Sequence, residues 1–394
     1  MIDSIIKKKR IEIFFQPVVS IKNKKIFAIE ALTRAYDDEG NFISPIFLFD
    51  EAKKENKSNL LDSYVRELAL IKFSQYHEKN KEILLFLNFE SSFIDSKEYD
   101  TFHTIVKKHN INPANVVLEI KEDEIKSNDS IKKFIEFYRT YGFIIAIDDF
   151  GTGYSSFDRL SLIKPDIVKI DRSLIDHVDT NFINSEILTA LSNMCHKIGA
   201  IVLAEGVERK EEILNCMEKD IDIFQGFYFA KPQGRIEDED STIYKLINNI
   251  GTSYTQNIST LINNKKAILK KSKELISMII STFNQKDIDY TCQLKNIIDD
   301  QDELEAIYTI DFHTGLQKDD TIINIEESTL FIPSKHNHDH NLKEYYFIAK
   351  NSSRQDYLST TYVSKASGNI CRTYSSIVQI NELQHILCID IKTS

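Results

Sequence analysis

No stretch of this chain approaches the ~18 consecutive apolar residues that a membrane-spanning helix needs, so no membrane span is expected. Basic residues also run short. Lys and Arg number 49 against 60 Asp and Glu, a formal charge of −11. That balance argues against a DNA or RNA duplex held on a broad basic face. A phosphate ligand stays within reach where a divalent cation lies between carboxylates and phosphate. Cysteine is sparse: Cys195, Cys216, Cys292, Cys371 and Cys388 are far apart, with no CxxC pair. A disulfide scaffold and a zinc site are thereby disfavoured, and a reducing cytoplasm is expected. Residues 1–10 turn charged after a few positions and lack the apolar core of a secretory signal,.

What is present suits a soluble protein with a sizeable core. Of the 394 residues, 42% are hydrophobic and 28% charged, enough for one large domain and a smaller one,. Short runs rich in Ile, Val, Leu and Phe occur at Glu12–Val19, Lys25–Leu32, Ile83–Phe89, Val116–Ile120, Phe143–Ile147, Ile167–Ile170, Ile201–Ala204 and Ile221–Phe227. Most lack polar alternation, as strands buried on both faces do. Helical spacing fills the gaps over Asp62–Tyr76, Asp129–Tyr141, Phe182–Ile198 and Lys210–Lys219,. This alternation predicts an α/β fold, a parallel (β/α)8 TIM-type barrel over residues 1–245.

The runs close, in order, on Gln16, Glu30, Asn88, Glu119, Asp148 with Asp149, Lys169, Glu205 and Gln225. Core packing gives no reason for a carboxylate or amide there. A single acid would read as a helix cap or a surface ion pair; the series reads as one site at the C-terminal rim of a barrel. Gathered carboxylates repel unless cations neutralise them. Oxygen donors without Cys or His select Mg²⁺ or Mn²⁺, one or two ions. A pair of ions suits phosphoryl displacement. Lys169 is expected to orient water or neutralise phosphate charge, with an ion pair to Asp166 or Asp171 as the plain alternative. Glu205 is the candidate general base. Glu208 could brace it, and Glu122 could anchor the glycine-bearing loop Asp148–Ser156.

Those residues carry a resemblance. Ile29-Glu30-Ala31-Leu32-Thr33-Arg34, Leu87-Asn88-Phe89, Leu118-Glu119-Ile120-Lys121-Glu122, the Asp148–Ser156 loop, Lys169-Ile170-Asp171, Ala204-Glu205-Gly206-Val207-Glu208 and Gln225-Gly226-Phe227 resemble the EAL-domain cyclic di-GMP phosphodiesterases over about residues 5–240. The resemblance implies a modified barrel whose first strand runs against the others. It also implies hydrolysis of cyclic di-GMP to linear pGpG with Mg²⁺ or Mn²⁺, inhibited by Ca²⁺. Carried onto this chain, Glu30, Asn88, Glu119, Asp148 and Asp149 match metal ligands, Lys169 the water-positioning lysine and Glu205 the base. Gln16, Leu32, Arg34, Glu208 and Gln225 match the substrate side, and Arg34 suits phosphate. Glu122 matches the residue holding a loop that couples dimerisation to activity. Lys121 and Asp123 stand where the family usually has threonine and serine. A cyclase signature, Gly-Gly-Asp-Glu-Phe, is absent. A receptor that binds the dinucleotide without hydrolysis is the alternative.

Beyond Pro232 the pattern changes. From about Gly251 to Phe283 apolar pairs recur every seven residues: Leu261–Ile262, Ile268–Leu269 and Leu275–Ile276. A helical linker over 251–300 is expected, lying on a domain or pairing as a coiled coil in a homodimer. Residues 301–394 read as an α+β unit with loops around the His-rich run 336–340, solvated histidines being the ordinary reading and metal ligation the alternative. This unit faintly resembles PAS-like Cache sensor domains through Tyr308–Asp311, Ser359–Ser364, Cys371–Ser375 and Leu387–Asp390, which implies a sensing module that could take a small-molecule ligand.

Overall fold

A computed structural model describes residues 1–89, 91–94, 101–121, 128–152, 157–236, 242–283, 290–323, 330–352, 356–380 and 382–392. The chain divides into two compact units, Met1–Asn257 and Ile258–Ser394.

The first unit contains strands β1 (Ile11–Ser20), β2 (Lys25–Tyr36), β3 (Phe42–Ile43), β4 (Leu84–Phe89), β5 (Val116–Lys121), β6 (Ile144–Phe150), β7 (Ile167–Ile170), β8 (Ile201–Ala204) and β9 (Ile223–Gln225). Strands β2 and β4 to β9 lie side by side and parallel, and β1 closes the ring antiparallel to both β2 and β9. The implied reversal of the first strand is therefore present. Strand β3 only extends the β2 edge. The helices fall where the spacing places them: Ser58–Lys79, Asn128–Thr140, Phe182–Lys197 and Lys210–Glu218.

Inside the ring, Val18, Ala28, Phe86, Val117, Ala146, Ile167, Leu203 and Ile223 form one packed layer, a residue from each barrel strand. All are buried. Such a layer is a plug of side chains, as barrels of this type have. Outside the ring a larger core joins strands to helices, with Phe73, Phe134, Tyr138 and Phe150 among its fully buried rings. Ile243, Ile247 and Ile250, from the start of the helix Thr242–Phe283, belong to that core.

Two expectations need correction here. Gln16 and Glu30 are not strand ends, because β1 and β2 pair from Ile11↔Ala35 to Ser20↔Lys25 as a long hairpin that runs past them. The last strand is shorter than its apolar run, only Ile223–Gln225.

The second unit is built on β10 (Leu304–Asp311), β11 (Ile322–Ile323), β12 (Asp356–Leu358), β13 (Tyr362–Val363), β14 (Ile370–Ile380) and β15 (Leu383–Lys392). They form an antiparallel sheet ordered β11-β10-β15-β14-β12, with β13 also on β14. Leu275, Ile276 and Ile279 from the end of the long helix, and Leu294 and Ile298 from the helix Tyr290–Asp299, pack on one face of it. The described residues of the expected 251–300 linker fall mostly in two helices, Thr242–Phe283 and Tyr290–Asp299. Leu261, Ile262 and Leu269 stay exposed. Within the histidine run, His336 and His338 are exposed, but His340 is buried, its ring nitrogens 2.8 Å from Tyr345 Oη and 2.9 Å from Gln317 Oε1.

Candidate functional site

Strand geometry explains how the polar residues come together. Side chains two apart share a face of a strand. Glu30, Asn88, Glu119, Asp148, Lys169, Glu205 and Gln225 each follow a member of the packed inner layer by two positions. Gln16 precedes Val18 by two, and because β1 runs in the opposite direction it rises to the same level. The eight residues therefore form the next layer up, where apolar packing gives way to the barrel mouth. Asp149 would face outward on a regular strand. A register break between Ile147 and Phe150 and a left-handed backbone at Asp149, φ 57°, turn it toward the mouth instead,.

Lys169 is at the centre, 1% exposed. Its Nζ lies 2.8 Å from Asp148 Oδ1 and 2.6 Å from Glu205 Oε1, and it also contacts Glu119 Oε1. Around it runs a ring of amides. Asn88 Nδ2 donates to Glu30 Oε1 at 3.1 Å and to Glu119 Oε2 at 3.0 Å. Gln225 Nε2 donates to Glu30 Oε2 and to Gln16 Oε1, and Gln16 Nε2 donates to the Ala230 carbonyl at 3.1 Å.

Burial and charge act against each other in this cluster. Burial is the largest influence on Lys169 and disfavours its ammonium, yet Asp148, Glu119 and Glu205 outweigh it and hold the group well above the usual lysine range,. Burial pushes Glu119 well above the carboxylate range, with Lys169 only partly offsetting it. Burial likewise pushes Glu205 up to about 8 against the pull of Lys169. Asp149 is raised by burial and by Asp148, and Lys121, its Nζ 3.4 Å from Asp149 Oδ2, offsets part of this.

A cavity of about 400 Å³ opens over the cluster, and Gln16, Glu30, Leu32, Asn88, Asp148, Asp149, Lys169, Glu205, Glu208 and Gln225 all line it. Glu119 sits beneath, against Lys169. Glu208 pairs with Arg172 at the rim. Arg34 stands elsewhere: it donates to the Thr33 carbonyl at 2.8 Å and lines a neighbouring cleft that shares Leu32, Asn88 and Lys121 with the first. Glu122 lies outside the described residues. Two mouth cations, Lys121 and Arg172, were given no role from sequence. The signal for both was position, since Lys121 ends β5 two residues after Glu119 and Arg172 follows Lys169 by three.

A hard divalent cation fits these groups. One oxygen each of Asp148, Asp149 and Glu205 lie within 4.8 Å of one another. Glu119 Oε1 and Asp148 Oδ1 are buried and both face the Lys169 ammonium. All available donors are oxygens, the preference of Mg²⁺, Mn²⁺ and Ca²⁺.

Residues 1–232, more than half of the chain, match the EAL domain family. The chain belongs to that family. Among its EAL-domain relatives is the probable cyclic di-GMP phosphodiesterase PdeG of Escherichia coli, 29% identical over 226 residues, which are 56% of this chain and 44% of that protein. The EAL-domain containing protein YkuI of Bacillus subtilis is 22% identical over 373 residues, 92% of this chain and 90% of YkuI. The crystal structure of YkuI with substrate c-di-GMP and calcium superposes with a TM-score of 0.83 at 20% identity, covering 100% of this chain and 99% of YkuI, a likeness of fold. Klebsiella pneumoniae BlrP1, solved as a manganese and cyclic-diGMP complex, gives a TM-score of 0.52 at 27% identity over 57% of this chain and 56% of BlrP1. The chain thus spans less than half of PdeG but nearly all of YkuI. Among the described residues no helix is long and apolar enough to cross a membrane.

Proposed function

We propose that the barrel hydrolyses one phosphodiester bond of cyclic di-GMP to give linear pGpG. The observation that carries this reading is the buried Lys169 ammonium joined to Glu119, Asp148 and Glu205 beneath an open mouth. Named relatives that act on or bind the same dinucleotide support it.

In this reading Glu30, Asn88, Glu119, Asp148 and Asp149 hold Mg²⁺ or Mn²⁺, one ion or two, and Ca²⁺ inhibits by occupying the same oxygens. When bound, the ion supplies Lewis-acid stabilisation of the phosphate and makes bound water more acidic. Lys169 points water at phosphorus and neutralises charge that builds on the phosphate oxygens. Glu205, touching Lys169 at 2.6 Å, receives the proton of the attacking water,. Gln16, Leu32, Glu208 and Gln225 position the dinucleotide at the mouth, with Arg34 gripping it from the adjoining cleft. Glu122 is assigned the anchoring of the glycine-bearing loop Asp148–Ser156.

The C-terminal unit is read as a PAS- or Cache-like sensor that regulates the barrel of a cytoplasmic homodimer. The antiparallel sheet supports the first part. The exposed Leu261, Ile262 and Leu269 on the long helix support the second, since such a stripe is suited to pairing with a second copy,.

Incubation of the purified protein with cyclic di-GMP and Mg²⁺ or Mn²⁺, followed by chromatography, should give pGpG. Tight binding with no pGpG would replace the enzyme with a receptor.

A further inference from the structure

The second unit contains a larger cavity than the barrel mouth, of about 900 Å³. Tyr308, His340, Tyr345, Tyr362, Ser364 and Asp390 line its inner part. Asp390 is the unusual member. It lies on β15 and is 3% exposed. Its carboxylate accepts from Thr373 Oγ1 at 2.8 Å and from Ser364 Oγ at 3.3 Å, both uncharged donors. Glu305, buried to the same degree, lies close enough to add to the negative charge. Its own oxygens take Asn369 Nδ2 at 2.6 Å and Cys371 Sγ at 3.0 Å, again without a cation.

No basic side chain among the described residues forms an ion pair with Asp390. His340, which lines the same cavity, is unsuited as a counter-charge. It stacks on Tyr308 at 5.6 Å, both ring nitrogens have neutral partners, and burial pushes it down to about 4. Lys335, Lys343 and Lys365 also line the cavity; Lys335 and Lys365 are exposed, where water screens them, Lys343 is half-buried, and no ion pair joins any of the three to Asp390,. A desolvated carboxylate with no counter-charge is costly. Phenol rings beside it are attractive to the same positive partner that the carboxylate lacks.

We propose that this cavity is a binding site for a small organic cation, with an ammonium group seated at Asp390 and flanked by Tyr308, Tyr345 and Tyr362. The site makes the C-terminal unit responsive to an amine or quaternary ammonium compound. It depends on no assignment made in the barrel, and binding is read directly, so its failure would leave the phosphodiesterase reading standing.

Titration calorimetry of the full chain tests it, with choline and benzylamine as probes and their uncharged counterparts, 3,3-dimethylbutan-1-ol and benzyl alcohol, as controls. At least one cation should bind, and more tightly than its neutral counterpart by about tenfold or more, the scale of a charge-assisted contact with aromatic flanking. Asp390→Asn should remove that preference while leaving Mn²⁺ uptake by the barrel unchanged. Absence of heat with both cations, or equal binding of a cation and its isostere, would overturn the proposal. The comparison of charged with uncharged probe needs no variant, so a misfolded Asp390→Asn protein would not obscure it.

Discussion

Glu205 has two properties that pull in opposite directions. In the proposed reaction it accepts a proton, yet burial holds its carboxyl at about 8, so that without a divalent cation it is mostly protonated at neutral pH. A raised acid pKa in the folded state means that the folded protein retains a proton the unfolded chain has released. Its contribution to stability is therefore present at low pH and lost as pH rises toward about 8,. In EDTA, the urea midpoint of the wild-type protein should fall between pH 6 and pH 8, and Glu205→Gln should flatten that slope. The same variant should bind cyclic di-GMP but turn it over at least ~100-fold more slowly, the scale of a lost general base. An unchanged rate would remove Glu205 from the mechanism, and an unchanged slope would mean that its proton is not held by folding.

At the scale of elements, the site depends on eight strands presenting side chains at one height, and the ninth strand shows how tightly this is enforced. Gly226 follows Gln225 directly, and a Cβ there would overlap the backbone N and O of Val207, which has no flexible end to move aside. Gly226→Ala should lose roughly 1–3 kcal/mol, as overpacked positions do. It should also weaken dinucleotide binding by shifting the amide of Gln225; a denaturation curve and a binding isotherm matching wild type would show that the contact relaxes freely. Much at this scale was legible in the sequence. The buried strands have apolar runs too short for anything else, and a polar residue two positions beyond an inward-facing one is visible without coordinates. Other features were hidden for physical reasons. Where β1 and β2 end is set by their pairing with each other, which extends past Gln16 and Glu30. The turning of Asp149 depends on a local break in register that no periodicity announces. His340 looks solvated within a polar run, and only the fold brings Gln317 and Tyr345 to its ring.

For the whole molecule, the place where one unit ends matters more than any single contact. The helix Thr242–Phe283 contributes Ile243, Ile247 and Ile250 to the core of the barrel unit, and Tyr254 Oη reaches the Met217 carbonyl at 3.3 Å. Each buried isoleucine is worth about 1.5–3 kcal/mol of burial. A fragment of residues 1–257 should unfold cooperatively near the midpoint of the barrel in the full chain, whereas 1–241 should be markedly less stable or aggregate. Equal midpoints by circular dichroism would mean that the helix start adds nothing to the barrel. Closure of the ring has a further consequence, for synthesis. Strand β1 lies within the first twenty residues, yet one of its two neighbours is β9, more than two hundred residues later. On the ribosome, a nascent chain must carry an open seam until Ile223 to Gln225 emerge, with strand edges able to pair wrongly. The clasp of Gln16, Gln225 and Glu30 shuts last, so a prematurely arrested product would be left adhesive.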